Sequence, residues 1–350
     1  MSLPVTAVAR VGVLTRDCRA AAAEYARFFG INDWRLADCA GRTADGREYA
    51  HRQAVGYANG VGFELIEPKS GLWADELARC GEGPSHVVIP TADWATLDAA
   101  QTAAGLASAA EHAERGGRRR LLDSRGPLGG LGLVFADAEA LIPPGEPLQL
   151  PGSAILPVQK LYQVSVMVRD LDTAKERFRA LLADCRAADA LWPALDTAKE
   201  RFRALLGVEA WVDIGIDSAQ MPGCTYYGKP VEHTARLSIG RRGAACFELV
   251  EPLSGPTVYR DALDRRGEAP HHIMVTLAPP QDFERAAQEL ANRGIVVGQS
   301  ASIPGLMAFS YFDGGQPLAG LFVEVIQPLA DNWLDLMFPS PEIARIVVGD

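Results

Sequence analysis

At 350 residues the chain has room for two ordinary domains, each able to bury its own core, and 48% hydrophobic with 22% charged residues is a soluble, globular composition. A formal net charge of −10 argues against nucleic acid or an anionic membrane surface as partner, since neither polyanion attracts an acidic chain. No apolar run reaches the roughly 18 to 20 residues of a membrane span, and MSLPVTAVARVG lacks the layout of a signal peptide, so a cytoplasmic location is expected.

In chain order, ARVGVLTRD (9–17) reads as a strand and CRAAAAEYARFF (18–29) as the helix after it. SHVVIP (85–90) and ADWATLDAAQTAAG (92–105) repeat that strand–helix pair, and the basic run Arg118-Arg119-Arg120 is expected on a solvated strand or loop. Pro143-Pro144-Gly145 with Pro151-Gly152 marks a linker. QVSVMVRD (163–170) and HHIMVTL (271–277) then open two further units, the second followed by QDFERAAQELANRG (281–294). ARLSIG (235–240) and AGLFVEVIQ (319–327) are later strands.

Beneath these elements lies a long internal repeat. GFELIEPKSGLWADELARCGEGPSHVVIP (62–90) and CFELVEPLSGPTVYRDALDRRGEAPHHIMVTL (246–277) are two versions of one text, so the chain is a duplicated domain. A second repeat is local: LDTAKERFRALL stands at 171–182 and again at 195–206. From Arg10 to Glu64 is 54 residues and from Gln163 to Glu248 is 85, and the repeat offset of 24 covers most of the difference. The short repeat is therefore an insertion, with one copy expected as the module helix and the other as an added helix or excursion.

The FELVEP…GEAPHHI text resembles the vicinal oxygen chelate superfamily, most closely its glyoxalase I and methylmalonyl-CoA epimerase branches. The resemblance implies an α+β fold of four tandem βαβββ modules forming two metal-binding cups. The domains expected are 1–145, a degenerate cup of modules 1 and 2; 155–330, the cup with the metal site, carrying the helical insertion at about 171–206; and a tail, 331–350, that is a candidate for a domain or homodimer contact. The family takes ligands from the first and last strands of paired modules, which here are Gln163, Glu248, His272 and Glu324. Such an oxygen and nitrogen set suits one divalent ion, Zn, Ni, Co or Mn before Fe. Independently, period-two alternation puts Glu248 and Cys246 on one strand face and Phe247 and Leu249 on the other. A carboxylate on an inner sheet face is costly unless paired or bound to a cation; edge strands with their glutamates in water are the alternative. His271 is the weaker of the two adjacent histidines.

In the first half the same positions read Arg10, Glu64, His86 and about Ala136, with Asp137 beside it. An arginine repels a cation and an alanine donates nothing, so this half is expected to have lost its metal. Exchange of modules between halves is an alternative, but it completes neither ligand set.

Carried over by position, Glu324 is the base that takes a proton next to a carbonyl while the metal stabilises the enediolate, with Glu248 as a second base. A glyoxalase-like lyase or isomerase acting on a small organic molecule is the reading this supports. Two alternatives stand beside it. A two-domain ring-cleaving or hydroxyphenylpyruvate-type dioxygenase needs two histidines and one carboxylate, yet Gln163 occupies one histidine place, with His233 as the nearby spare, expected in a loop. A non-catalytic binding protein of the resistance type needs the cup alone. An epimerase would want a base near Arg236, which cannot accept a proton. Trp211, Met221, Tyr226, Tyr227 and Met307 are either lining for a partly hydrophobic substrate or core. The six scattered cysteines, without a CxxC pair, read mostly as small buried hydrophobes.

Overall fold

A computed structural model describes residues 3–58, 60–114, 116–152, 154–156, 158–169, 211–277, 283–333 and 341–348. Both copies of LDTAKERFRALL, and with them the expected asymmetry between the copies, lie outside the described residues.

The first unit runs β1 (Arg10–Leu14), α1 (Cys18–Phe29), β2 (Asp33–Arg42), β3 (Glu48–Ala58) and β4 (Val61–Ser70). After α2 (Leu72–Cys80) the second unit repeats the pattern: β5 (Gly83–Pro90), α3 (Trp94–Ala103), β6 (Ser108–Glu114), β7 (Gly117–Leu122) and β8 (Gly132–Ala136). These strands form one sheet in the order β6-β7-β8-β5-β1-β4-β3-β2, extended by β9 (Glu146–Gln149) at the β2 edge.

The second half is built likewise. β10 (Val158–Met167), β11 (Trp211–Asp217), a hairpin of β12 (Thr225–Tyr226) and β13 (Lys229–Pro230), β14 (Thr234–Arg242) and β15 (Ala245–Ser254) precede α4 (Val258–Arg266). Then come β16 (Ala269–Leu277), α5 (Phe283–Ala291), β17 (Val296–Ile303), β18 (Met307–Asp313) and β19 (Phe322–Pro328), with α6 (Pro341–Val348) near the end. Their sheet order, β11-β14-β15-β10-β16-β19-β18-β17, is that of the first sheet, and the small hairpin extends the β17 edge. In each sheet the two modules meet where their first strands pair antiparallel, β1 with β5 and β10 with β16.

Local sequence explains the helix that anchors the first module. The Asp17 side chain accepts from the backbone N–H of Arg19 and Ala20, and Gly30, at φ 76, closes the other end in the left-handed conformation. Between these caps Ala22, Tyr25, Phe28 and Phe29 turn one apolar face to the sheet, where Phe29 stacks on Phe63 at 4.9 Å. Each such ring contributes roughly 2 kcal/mol by leaving water.

The outer faces of the two sheets and their helices share one core, which includes Phe63 and Phe135 from the first half and Phe247, Phe312 and Val323 from the second. Arg266, at the end of α4, crosses between the halves. Its Nη1 donates to Pro270 O at 2.8 Å, its Nη2 to Pro84 O at 2.8 Å and its Nε to Cys80 O at 3.2 Å. The inner faces form separate clusters, one around Tyr49, Trp73 and Val134 and one around Tyr259, Tyr311 and Met307.

Arg118-Arg119-Arg120 is not solvated as a unit. It forms half of β7, and Arg119 and Arg120 are buried because carboxylates await them: Glu64 for Arg119, Asp98 and Glu111 for Arg120. Cys18, Cys80, Cys224 and Cys246 are buried and Cys39 is half-buried. Met221 and Met307 belong to the inner core of the second sheet, Tyr226 and Trp211 pack against core clusters, and Tyr227 is exposed.

Candidate metal centre

Strand alternation aims the inner-face residues of the second sheet at one point. Ser165 on β10 is flanked by Glu248 on β15 and His272 on β16, so all three stand on one rung. Met274, two residues beyond His272, pairs with Glu324 on β19. Glu248, His272 and Glu324 thus converge, with one ligand atom from each lying within 4.8 Å of the others; among the described residues this is the one such group of three. His272 Nε2 lies 3.0 Å from Glu248 Oε2 and 3.5 Å from Glu324 Oε2. Gln163 stands on the same face one rung earlier, next to Cys246, and is 2% exposed.

Ser165, which sequence reasoning passed over, donates its hydroxyl to Glu248 Oε2 at 2.6 Å. Its signal was its place, two residues after Gln163 and hence on the same strand face. His271 was also underrated. The register shift between Ser165 and Val166 makes it the extra residue of a β-bulge, which turns its ring so that its Nδ1 faces His272 Nδ1 at 3.1 Å. Its ring also packs on Phe322 at 4.5 Å.

The electrostatics follow from burial. Desolvation alone would push the His272 imidazole down, but the carboxylates of Glu248 and Glu324, close to its Nε2, outweigh it and push the group up to about 9. Burial and then the charge of Glu248 hold Glu324 above the usual carboxylate range, against the pull of His272. His271 is driven well below its ordinary value by burial and by the charge of His272, so it stays neutral. The rings of Tyr259 and Tyr311 wall the cluster, Tyr311 edge-on to His272 at 5.0 Å.

Three donor atoms at this centre are buried without a well-directed hydrogen-bond partner: Gln163 Oε1, His272 Nε2 and Glu324 Oε2. Buried polar atoms are rarely left so. Close approach of carboxylate and imidazole atoms without hydrogen-bond alignment is what donors arranged around a common centre present, so the residues fit a divalent cation with nitrogen and oxygen ligands.

The first sheet carries the same frame with other chemistry. Gly12 takes the rung of Ser165, between Glu64 and His86, and a side chain there would meet the His86 ring at 2.0 Å. Arg10 takes the place of Gln163, and its fully buried guanidinium donates to Tyr57 Oη at 2.5 Å and to Glu64 Oε2 at 3.2 Å. Arg119 grips both oxygens of Glu64, with Nη1 2.9 Å from Oε2. Burial opposes the charge of Glu64, but Arg119, His86 and Arg10 overcome it and hold the carboxyl well below its usual range. The guanidiniums fill the place of a cation.

The register also corrects one alignment. Tyr311 faces Glu324 as Leu121 faces Val134, and Met274 faces Glu324 as Val88 faces Val134. The counterpart of Glu324 is therefore Val134, not Ala136, which lies one rung beyond. Asp137 instead accepts from the backbone N–H of Arg118 and Ala140 and so caps a turn. Arg236 does not reach the second cup: it pairs with Glu251 on the far face, while Ala235 and Leu237 point inward. His233 does lie outside the strands, just before β14, but is buried, with Nδ1 3.7 Å from Cys224 Sγ and Nε2 3.3 Å from Gln299 Nε2.

No protein-family model matches this chain, and no curated protein matches it in sequence. Solved structures do match in fold. A mutant 4-hydroxymandelate synthase from Streptomyces coelicolor superposes with a TM-score of 0.59 at 15% identity, over 93% of each chain. A fusion of a xylose isomerase-like TIM barrel with 4-hydroxyphenylpyruvate dioxygenase gives 0.52 at 11% identity; the match covers 99% of this chain and about half, 52%, of that one. A Mn(II)-bound glyoxalase from Novosphingobium aromaticivorans gives 0.46 at 16% identity, over 98% of this chain and 90% of the other. The matches with TM-scores of 0.59 and 0.52 show a shared fold of two curled sheets, the two-cup fold that the resemblance implied. No helix among the described residues is long and apolar enough to cross a membrane.

Proposed function

We propose that the second cup holds one divalent metal ion through Gln163, Glu248, His272 and Glu324, and that the protein is a metal-dependent lyase or isomerase of the glyoxalase kind. The observation that carries this reading is the set of buried donor atoms left without aligned partners, Gln163 Oε1, His272 Nε2 and Glu324 Oε2, around one point. A cation there would act as a Lewis acid, easing negative charge onto substrate oxygens.

The chain's own residues do the rest. Glu324, buried and held above the usual carboxylate range, is the base for a proton on the carbon next to a carbonyl. Ser165 fixes one oxygen of Glu248 and so keeps that carboxylate turned inward. Tyr259 and Tyr311 exclude water from the cluster; both are buried and their hydroxyls are held well above their ordinary range, burial being the first cause, so they stay neutral beside it. Zn, Ni, Co or Mn suits this set better than Fe, because an oxygenase face asks for two histidines and one carboxylate. His233 does not supply the second histidine, being committed to Cys224 and Gln299, and His271, whose Nε2 is buried without a hydrogen-bond partner, stands outside the group formed by Glu248, His272 and Glu324.

The dioxygenase reading keeps one observation in its favour, the fold match to 4-hydroxymandelate synthase over 93% of both chains. Metal analysis of the purified protein separates the two. One zinc, nickel, cobalt or manganese per chain, with solvent-deuterium exchange at the carbon next to the carbonyl in a panel of hemithioacetals and 2-oxo acids, is the expected result. Iron with oxygen consumption would transfer the assignment to the dioxygenase, and absence of stoichiometric metal would sink both. Glu324→Gln should abolish the exchange while leaving the fold intact.

A further inference from the structure

Resting on the metal reading proposed above, we infer that the substrate enters the second cup through a pocket between the two halves, at the start of β10, and that the group it leaves seated there is uncharged and apolar. The pocket has a volume of about 180 Å³, and Val8 contributes to it from the first half. A cavity of about 150 Å³ holds one benzene ring, so a single ring or a short branched chain fills it.

Its two ends differ. Gly60 and Ala244, each in a turn between strands, are exposed and form the outer end, whereas Gln163 and Val164, 2% and 1% exposed, form the inner one. Gln163 and Cys246 stand on the sheet face that carries Glu248, and Cys246 is two residues from Glu248, roughly 7 Å along a strand. A molecule passing Gly60 and Ala244 therefore meets the metal donors from the Gln163 side, while the rings of Tyr259 and Tyr311 wall the cluster elsewhere.

The lining sets the chemistry of the seated group. Val8, Leu161, Val164 and Ala244 are apolar, and burial pushes the Cys246 thiol up to about 12, so it stays neutral and serves as a soft wall. Lys160, the one charged side chain among the described residues of the lining, lies with its Nζ 5.1 Å from the centre of the Tyr162 ring. That is a cation–π contact, and it engages the ammonium on the wall itself. A charged group seated between Val8, Leu161 and Cys246 would give up its water for apolar neighbours, which is costly, whereas an apolar group gains by the same transfer.

To test this, the full chain stripped with EDTA is titrated with benzene and with benzoate and followed by chemical-shift mapping. Benzene should bind at least tenfold more tightly than benzoate and shift residues 160–164 and 244–246. Val8→Phe and Ala244→Phe, which add a ring to the pocket from either half, should each lose at least fivefold in benzene affinity with circular dichroism unchanged. In the manganese-loaded chain, deuterium exchange at the carbon next to the carbonyl should show a kcat/KM at least tenfold higher for 4-methyl-2-oxopentanoate than for 2-oxoglutarate. Both substitutions should raise the KM of the former at least fivefold. Benzene shifts elsewhere, benzoate binding as tight as benzene, full benzene affinity in both variants, or exchange that favours 2-oxoglutarate would each overturn the assignment of the pocket and leave the metal reading standing. A chain that binds benzene as expected but takes up no metal and exchanges neither acid would instead overturn the metal reading, and the substrate assignment with it.

Discussion

The Nδ1 atoms of His271 and His272 face each other at 3.1 Å inside the second cup. Only one of them can carry the proton between them. Because His271 is neutral, its lone pair can accept from His272 Nδ1–H, which leaves His272 Nε2 turned toward Glu248 and Glu324. Fixing the tautomer of a ligand histidine in this way commonly sustains 10 to 100-fold in metal affinity. His271→Phe should therefore weaken zinc binding by about that factor, measured by competition with a chromogenic chelator, with circular dichroism unchanged. Undiminished affinity would mean that packing on Phe322 is all that His271 contributes.

Glu64 makes the first cup sensitive to acid. Its folded-state pKa lies below the unfolded value, so its contribution to stability is fully present above about pH 4.5 and is lost as pH falls through the folded value. Glu64→Gln leaves the buried guanidiniums of Arg10 and Arg119 without their carboxylate and should cost about 3 to 5 kcal/mol at pH 7. Below pH 4.5 wild-type stability should fall by up to about 1.4 kcal/mol per pH unit more steeply than that of the variant. Urea melts at pH 7 and pH 3.5 measure both quantities, and parallel slopes would refute the assignment.

How far the sequence could be read depended on what each feature needed. The long repeat exposed the module plan because strand alternation and the Glu-Pro text survive duplication; Glu248, His272 and Glu324 came from the family resemblance by position, with strand alternation as independent support for Glu248 alone. Ser165 and His271 were not legible, since their roles come from a cross-strand rung and a β-bulge, which pairing register alone defines. The arginine run looked solvated because charge runs usually are; what buries Arg119 is Glu64, 55 residues away along the chain. The reading of about Ala136 missed Val134 for a related reason, as a slip of one rung keeps the strand face and leaves the alternation pattern unchanged.

Arg266 ties the halves together through main-chain carbonyls of Cys80, Pro84 and Pro270, and burial pulls its guanidinium down to about 10. Replacing it with methionine keeps most of the volume but strips three acceptors of their donors, each worth about 1 kcal/mol or more when left buried. Arg266→Met should destabilise the protein by roughly 3 kcal/mol in a denaturant melt. If the halves unfold as one unit, the whole transition moves; if they unfold separately, calorimetry will show two transitions drawing apart. A variant as stable as wild type would show that the carbonyls find other partners and that the bridge does not hold the halves.

One metal per chain is expected, and the first cup should resist simple repair. Val134→Glu places a carboxylate at the counterpart of Glu324, yet Arg10 and Arg119 would neutralise it, as they do Glu64, and metal stoichiometry should stay at one. Removing the guanidiniums as well changes the outcome. Arg119 corresponds in register to Phe309 and Arg10 to Gln163, so Arg10→Gln with Arg119→Phe and Val134→Glu gives the first cup the donor set of the second, Gln, Glu64, His86 and Glu. Gly12 still lacks the Ser165 hydroxyl, so the new site should bind about tenfold more weakly, in line with the 10 to 100-fold cost of losing a ligand's supporting hydrogen bond. Elemental analysis should rise from one metal to two per chain in the triple variant. A second metal in Val134→Glu alone would show that the guanidiniums are not what keeps the first cup empty of cations.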